Sequence, residues 1–87
     1  MTDDHRTHTR VRVTVMLKPG VLDIQGNTVG RTLNSMGFDI VQSVRIGKVF
    51  EIEIPGIDPI EVRSRAEEMA RRVMTNTVIE NFTVEII

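Results

Sequence analysis

Apolar residues recur at every second position through residues 10–17, and most of the positions between them are polar. A period of two predicts a β-strand with one buried face. Pro19 and Gly20 follow this segment directly. Because proline lacks a backbone donor and glycine tolerates positive φ, the pattern predicts that the strand ends there.

The next segment, from Asp23 to Met36, has the spacing of an amphipathic helix, and Gly37 is a typical C-terminal stop. Gly26 and Gly30 lie four residues apart, on the same side of this helix, and each weakens it by about 1 kcal/mol relative to alanine. Two interpretations stay open: close packing of the helix on a sheet, which we favour, or close approach of a partner backbone. The apolar stripe of the helix is Val29, Leu33 and Met36.

The second half of the chain predicts two more strands, a helix and a last strand. Residues 40–46 and 49–54 are strand-like, and Gly47-Lys48 between them indicates a hairpin turn. Asp58 and Pro59 are a typical helix start. The apolar stripe of this second helix is Val62, Ala66, Met69, Ala70 and Val73, and the alternating residues of the final strand are Phe82, Val84 and Ile86.

The order strand, helix, strand, strand, helix, strand predicts an α+β fold of the ferredoxin-like, split β-α-β-β-α-β type. We expect a four-stranded antiparallel sheet with both helices on one face. Residues 1–9 are polar and aperiodic and are predicted to form a disordered tail, followed by a single domain over residues 10–87. The other face of the sheet would carry Arg10, Arg12, Thr14, Met16, Val41, Val49, Glu51, Glu53, Thr83 and Glu85.

Composition limits the function more than the fold. The 87 residues are enough for one domain, and with 40% hydrophobic but only 3% aromatic residues its core must be aliphatic. A net charge of −1 argues against nucleic acid as a partner. The chain has no cysteine and no apolar run long enough for a membrane span. These features favour a cytoplasmic location and, together with the mixed open face, a homodimer or higher homo-oligomer.

The sequence contains no recognisable catalytic set, metal site or cofactor site. The two histidines, His5 and His8, lie in the predicted tail, and neither phosphate-binding glycine motif is present. Gln25-Gly26 followed by Arg31 resembles an acylphosphatase loop. However, Arg31 lies one residue too far along for that family, and the flanking aromatic residue is missing. Glutamates within the strand "GKVFEIEI" argue against an RNA-recognition domain, because they would repel phosphate.

Two family resemblances remain. The stretch "KPGVLDIQGNTVGRTLNSMGFDI" resembles the opening of an ACT domain, which would imply a free-standing module that binds amino acids. The segments "LKPGVLDIQG", "VRIGKVFEIEI" and "NTVIENFTVEII" together resemble the PurS family, and this similarity covers nearly all of residues 10–87. PurS is a subunit of phosphoribosylformylglycinamidine (FGAM) synthase, an ATP-dependent C–N ligase of purine biosynthesis.

The PurS resemblance implies a non-catalytic small subunit that dimerises and joins the synthetase subunit to the glutaminase subunit, supporting ammonia transfer. ATP and Mg²⁺ would then belong to the synthetase. The loops offer polar side chains and glycines for such contacts, with the predicted hairpin and the segment after the second helix at one end of the sheet and the first loop at the other. The candidate partner-binding residues are Lys18, Pro19, Gly20, Asp23, Gln25, Gly26, Arg45, Gly47, Lys48, Asn76, Val78, Ile79 and Glu80.

Overall fold

The computed structural model describes residues 8–87, which form one three-stranded sheet, two α-helices and a π-helical turn. Most of the predicted tail, residues 1–7 with His5, lies outside the described residues, whereas His8 and Thr9 already belong to the first strand. In chain order the elements are β1 (His8–Leu17), α1 (Ile24–Ser35), β2 (Gly47–Pro55), α2 (Pro59–Met69), the π-helical turn (Ala70–Met74) and β3 (Glu80–Ile86).

The strand β1 occupies the middle of the sheet, in the order β2-β1-β3, and is antiparallel to both neighbours. Val13 lies opposite Phe50 on β2 and Val84 on β3, so apolar residues of all three strands share one face. This arrangement confirms the alternation that the sequence shows in each strand. The fully buried side chains of the central strand are all valine, and they build the aliphatic core that the composition requires.

The core lies between this face and α2. Asp58 caps α2, its Oδ1 accepting a hydrogen bond of 3.0 Å from the backbone N–H of Ile60, and Pro59 occupies the first turn. The helix packs against β1 and β3. The fully or nearly fully buried side chains are Val11, Val13, Val15, Ile54, Val62, Ala66 and Ala70.

The π-helical turn after α2 changes which residue reaches the core. Val73, predicted to lie on the buried stripe, is exposed, and Met74 packs against the core instead. A π-helix has more residues per turn than an α-helix, so the position that follows Ala70 on the buried side moves one residue along the chain.

The predicted four-stranded sheet is wrong, because residues 41–46 form no strand. Gly47 and Lys48 are not a hairpin tip either: they begin β2 and lie opposite Met16 and Val15 on β1. The segment 41–46 is as apolar as a strand, but a strand requires a hydrogen-bonded neighbour, and this segment packs along α1 instead.

The helix α1 has the predicted boundaries, with Asp23 as N-cap and Gly37 in the left-handed region at φ +99°, but it is not on the sheet. The expectation of both helices on one face is therefore wrong. Residues 18–46, which we call the arm, leave the sheet after β1 and return to it at β2. The described chain is accordingly elongated, measuring 52 × 32 × 16 Å.

The open face of the sheet carries a ladder of ion pairs. Arg12 on the central strand bridges Glu51 at 2.9 Å and Glu85 at 3.5 Å, and Arg10 pairs with Glu53 at 3.5 Å. The hydrogen bond with Glu51 is the main cause that raises the pKa of Arg12. Val41, which was expected on this face, lies in the arm. Exposed pairs of this kind contribute little stability, but they fix the cross-strand register.

Candidate functional site

The antiparallel sheet brings three strand ends to one place. The end of β1 at Leu17 lies opposite the start of β3 at Glu80, and Met16 lies opposite the start of β2 at Gly47. Two connecting segments, the arm and the turn after α2, therefore meet at this end of the sheet. We call this region the junction, and it contains most of the candidate partner-binding residues.

The two connections are joined by direct contacts. The backbone N–H of Lys18 donates to the carbonyl oxygen of Ile79 at 2.8 Å. Arg45 donates from Nη2 to the carbonyl oxygen of Leu17. Lys48 lies 3.8 Å from Glu80, whose side chain is largely buried. The expectation that the first loop and the segment after α2 lie at opposite ends of the sheet is thus wrong.

The turn after α2 uses its polar side chains internally. Glu80 accepts a hydrogen bond from the backbone N–H of Asn76 at 2.7 Å, and Asn76 in turn accepts from Val78 N–H at 3.2 Å. The backbone N–H groups of Ile79 and Glu80 both donate to the carbonyl oxygen of Asn76. Val78 is left 79% exposed in this turn.

Asp23 fastens the base of the arm. Its Oδ1 accepts a hydrogen bond of 2.7 Å from the backbone N–H of Gly26, and its Oδ2 accepts one of 2.8 Å from the backbone N–H of Ile46. The bond from Ile46, followed by the one from Gly26, lowers the pKa of this carboxyl, and the nearby Arg45 cation acts in the same direction. The carboxylate of Asp23 therefore links the start of α1 to the start of β2 by hydrogen bonds within the chain.

Gly26 shows why the arm needs a glycine in its helix. A side-chain carbon at this position would overlap the carbonyl oxygen of Val44 and lie 2.7 Å from Oδ2 of Asp23. At Gly30 the same addition would be 3.6 Å from Cγ2 of Val44, an ordinary contact. The close approach inferred from the glycine spacing is present, but its partner is the returning segment of the arm rather than the sheet.

The structure thus divides the candidate residues by position. Those at the junction are Lys18, Arg45, Gly47, Lys48, Asn76, Ile79 and Glu80, and Asp23 and Gly26 lie at the adjoining base of the arm. Pro19, Gly20, Gln25 and Val78 are exposed around it. Sequence reasoning missed Val44 and Ile46, whose backbone atoms complete the base of the arm; the pair Gly26 and Gly30 was the available signal for them.

The arm also presents apolar side chains to solvent. Its tip, at the C-terminal end of α1, is the most exposed part, and Ile40 there is 86% exposed. The exposed large apolar residues of the arm are Leu22, Ile24, Val29, Met36, Phe38, Ile40 and Ile46.

Two absences hold for residues 8–87. Within that range no group of three or more His, Asp or Glu side chains could hold a metal ion. No helix there has the length and hydropathy needed to cross a bilayer.

The fold is a small α+β domain, a three-stranded antiparallel sheet with a projecting arm and a polar junction. The family model of PurS, phosphoribosylformylglycinamidine (FGAM) synthase, matches residues 10–87. The PurS subunit of this enzyme from Bacillus subtilis is 42% identical over 77 residues, which cover 88% of this chain and 90% of that protein. The chain therefore belongs to the PurS family, the small subunit of FGAM synthase in purine biosynthesis.

Solved structures agree with this assignment. PurS from Methanocaldococcus jannaschii superposes with a TM-score of 0.82 at 32% identity, covering 91% of this chain and 95% of that one. A chain of the PurLQS structure from Thermotoga maritima shares the fold at a TM-score of 0.85 and 20% identity, covering 92% of this chain and 98% of that one. These relatives confirm the PurS resemblance and give no support to the ACT alternative.

Proposed function

We propose that this chain bridges the synthetase and glutaminase subunits of FGAM synthase and so supports ammonia transfer between them, without contributing catalytic residues. The proposal is supported chiefly by one observation: the arm projects from the sheet with its apolar residues uncovered, beside a junction that is itself well ordered by hydrogen bonds. The relative of the same fold in the PurLQS structure is itself part of an assembly, which agrees with this role.

We propose that the protein is also a homodimer, in which a second copy covers apolar surface that one copy leaves open. The helix α2 packs on β1 and β3, yet Phe50 and Ile52 on β2 and Phe82, Val84 and Ile86 on β3 all stay only partly buried. The helix α1 has an apolar stripe but packs on no sheet. One chain thus carries both an uncovered helix and an incompletely covered sheet, which is the complementarity that a symmetric dimer needs.

The chemistry of the enzyme belongs, in this proposal, to the other subunits. ATP and Mg²⁺ would bind to the synthetase subunit and glutamine to the glutaminase subunit. A cytoplasmic location would follow from membership of this biosynthetic complex. The sequence-based interpretation that this chain binds no cofactor itself is part of the same proposal.

The experiment compares two exposed isoleucines at opposite ends of the molecule. Ile40 at the tip of the arm is 86% exposed, and Ile60 in the first turn of α2 is 81% exposed. Each is replaced by serine, and the FGAM synthase reaction is reconstituted with glutamine or with ammonia as nitrogen source. Ile40→Ser should weaken copurification of the other subunits and lower glutamine-dependent synthesis more than ammonia-dependent synthesis, whereas Ile60→Ser should match the unaltered protein.

Two results would contradict the proposal. If Ile40→Ser supports full glutamine-dependent synthesis, the arm is not a contact surface. If a tagged copy of the unaltered subunit brings down neither of the other subunits, the bridging role is wrong.

Sedimentation equilibrium at tens of micromolar tests the dimer separately, and a monomer there would refute it. Titration calorimetry with glutamine and glycine should give no saturable heat from the isolated subunit.

A further inference from the structure

The two helix N-caps of this chain use their carboxylates differently. At α2, Asp58 accepts a backbone hydrogen bond through Oδ1 from Ile60, inside its own helix. At α1, Asp23 accepts through both oxygens. One oxygen accepts from Gly26 inside the helix, and the other accepts from Ile46, the last residue of the arm before β2. The second bond of Asp23 joins two residues that are 23 positions apart in the sequence.

That bond lies where the direction of the arm is decided. Within one chain α1 does not pack on the sheet, so its angle to the strands depends on the returning segment that lies along it and on the contacts at the base of the arm. The arm is held at its base by four contacts, namely Asp23 with Ile46, Gly26 against Val44, Arg45 with Leu17, and Lys18 with Ile79. Asp23 makes the contact that joins the N-cap of the helix directly to the residue preceding β2.

We propose that Asp23 is a positioning residue, whose carboxylate fixes the direction in which the arm leaves the sheet and thereby presents the arm to the other subunits. The first half of the proposal, that Asp23 fixes the direction of the arm, concerns the chain alone. The second half rests on the proposed bridging function, and the experiment separates the two.

The same substitution at both caps tests the first half. Asparagine caps helices about as well as aspartate, but its side chain has only one acceptor oxygen. Asp23→Asn should therefore keep one of the two hydrogen bonds and lose the other, and Asp58→Asn should lose nothing. Amide hydrogen exchange, measured by NMR on the full chain, should show the Ile46 N–H exchanging about tenfold faster or more in Asp23→Asn, since a hydrogen bond to a charged group is lost.

Two amides serve as internal references. Exchange at Val13 in the central strand should be unchanged in both variants, because the sheet core does not depend on the arm. Exchange at Ile60 should be unchanged in Asp58→Asn. If Ile46 exchanges at the same rate in Asp23→Asn and in the unaltered chain, the positioning role of Asp23 is wrong.

The second half is tested by titrating each variant into the other two subunits. The subunit concentration needed for half-maximal glutamine-dependent synthesis should rise severalfold for Asp23→Asn and stay unchanged for Asp58→Asn. If Ile46 exchange is faster but this concentration does not change, the arm's direction does not serve assembly. If the unaltered subunit is not required for synthesis at all, the bridging function fails while the exchange result stands.

Discussion

The backbone N–H of Lys18 donates a hydrogen bond of 2.8 Å to the carbonyl oxygen of Ile79, joining the first residue after β1 to the last residue before β3. This bond continues the pairing of the two strands beyond Leu17 and Glu80. The two connections at the junction thus begin as a continuation of the pairing between β1 and β3. Their side chains are presented from a fixed base, and this limits the ordering cost when a partner binds.

The core should depend on the central strand. Val13 is fully buried, while Val49 lies on the open face and is 59% exposed. Val13→Ala removes two buried methyl groups and should lower the free energy of unfolding by about 2 kcal/mol, through lost transfer energy and the cavity left behind. Val49→Ala should change it by less than about 0.5 kcal/mol. Urea unfolding followed by circular dichroism measures both, and equal losses would contradict the assignment of the two faces.

The two glycines of α1 should respond oppositely to alanine. At Gly30 an added carbon has room, so Gly30→Ala should stabilise the protein by about 0.5–1 kcal/mol through helix propensity. At Gly26 the added carbon overlaps the Val44 carbonyl oxygen, and Gly26→Ala should destabilise the arm by about 1 kcal/mol or more. Thermal unfolding of the two variants gives the comparison. Equal stabilisation by both would show that the helix does not lie against the returning segment.

Stability at the base of the arm should depend on pH. The hydrogen bonds from Ile46 and Gly26 lower the pKa of Asp23, with the Arg45 cation assisting and desolvation opposing. A carboxyl with a lowered pKa contributes stability that is fully present above the unfolded value of about 3.9. This contribution is lost as the pH falls through the lowered folded value. Protection of the Ile46 amide should therefore decrease only below the usual aspartate range.

The pH experiment has its own control. Asp23→Asn removes the titrating group, so the acid-dependent loss of protection at Ile46 should disappear in this variant. A midpoint for Asp23 at or above the ordinary aspartate value, measured from its side-chain carbon shift, would contradict the two hydrogen bonds to the ionised form.

Local chemistry made several elements predictable. Asp23 and Asp58 cap helices where the sequence placed them, because an N-cap requires only a short polar side chain and the next few backbone N–H groups. Alternating valines in β1 predicted the buried face of the strand. The close approach of another backbone segment to Gly26 was also predictable, because the two glycines of the helix lie four residues apart. Its partner was not, because Val44 could be identified only once the path of the arm was known.

The sequence by itself determined where both α-helices begin, the face that each strand buries and membership of the PurS family, since all of these depend on side-chain periodicity, capping or the similarity of whole segments. Only the tertiary structure decided that residues 41–46 are not a strand, that α1 stands off the sheet and that both connections meet at one junction. The physical reason is that an apolar segment can be buried against a helix as well as within a sheet. Which of the two occurs depends on where its hydrogen-bonding partners lie, and here Asp23 and the carbonyl contact at Gly26 hold the segment to α1.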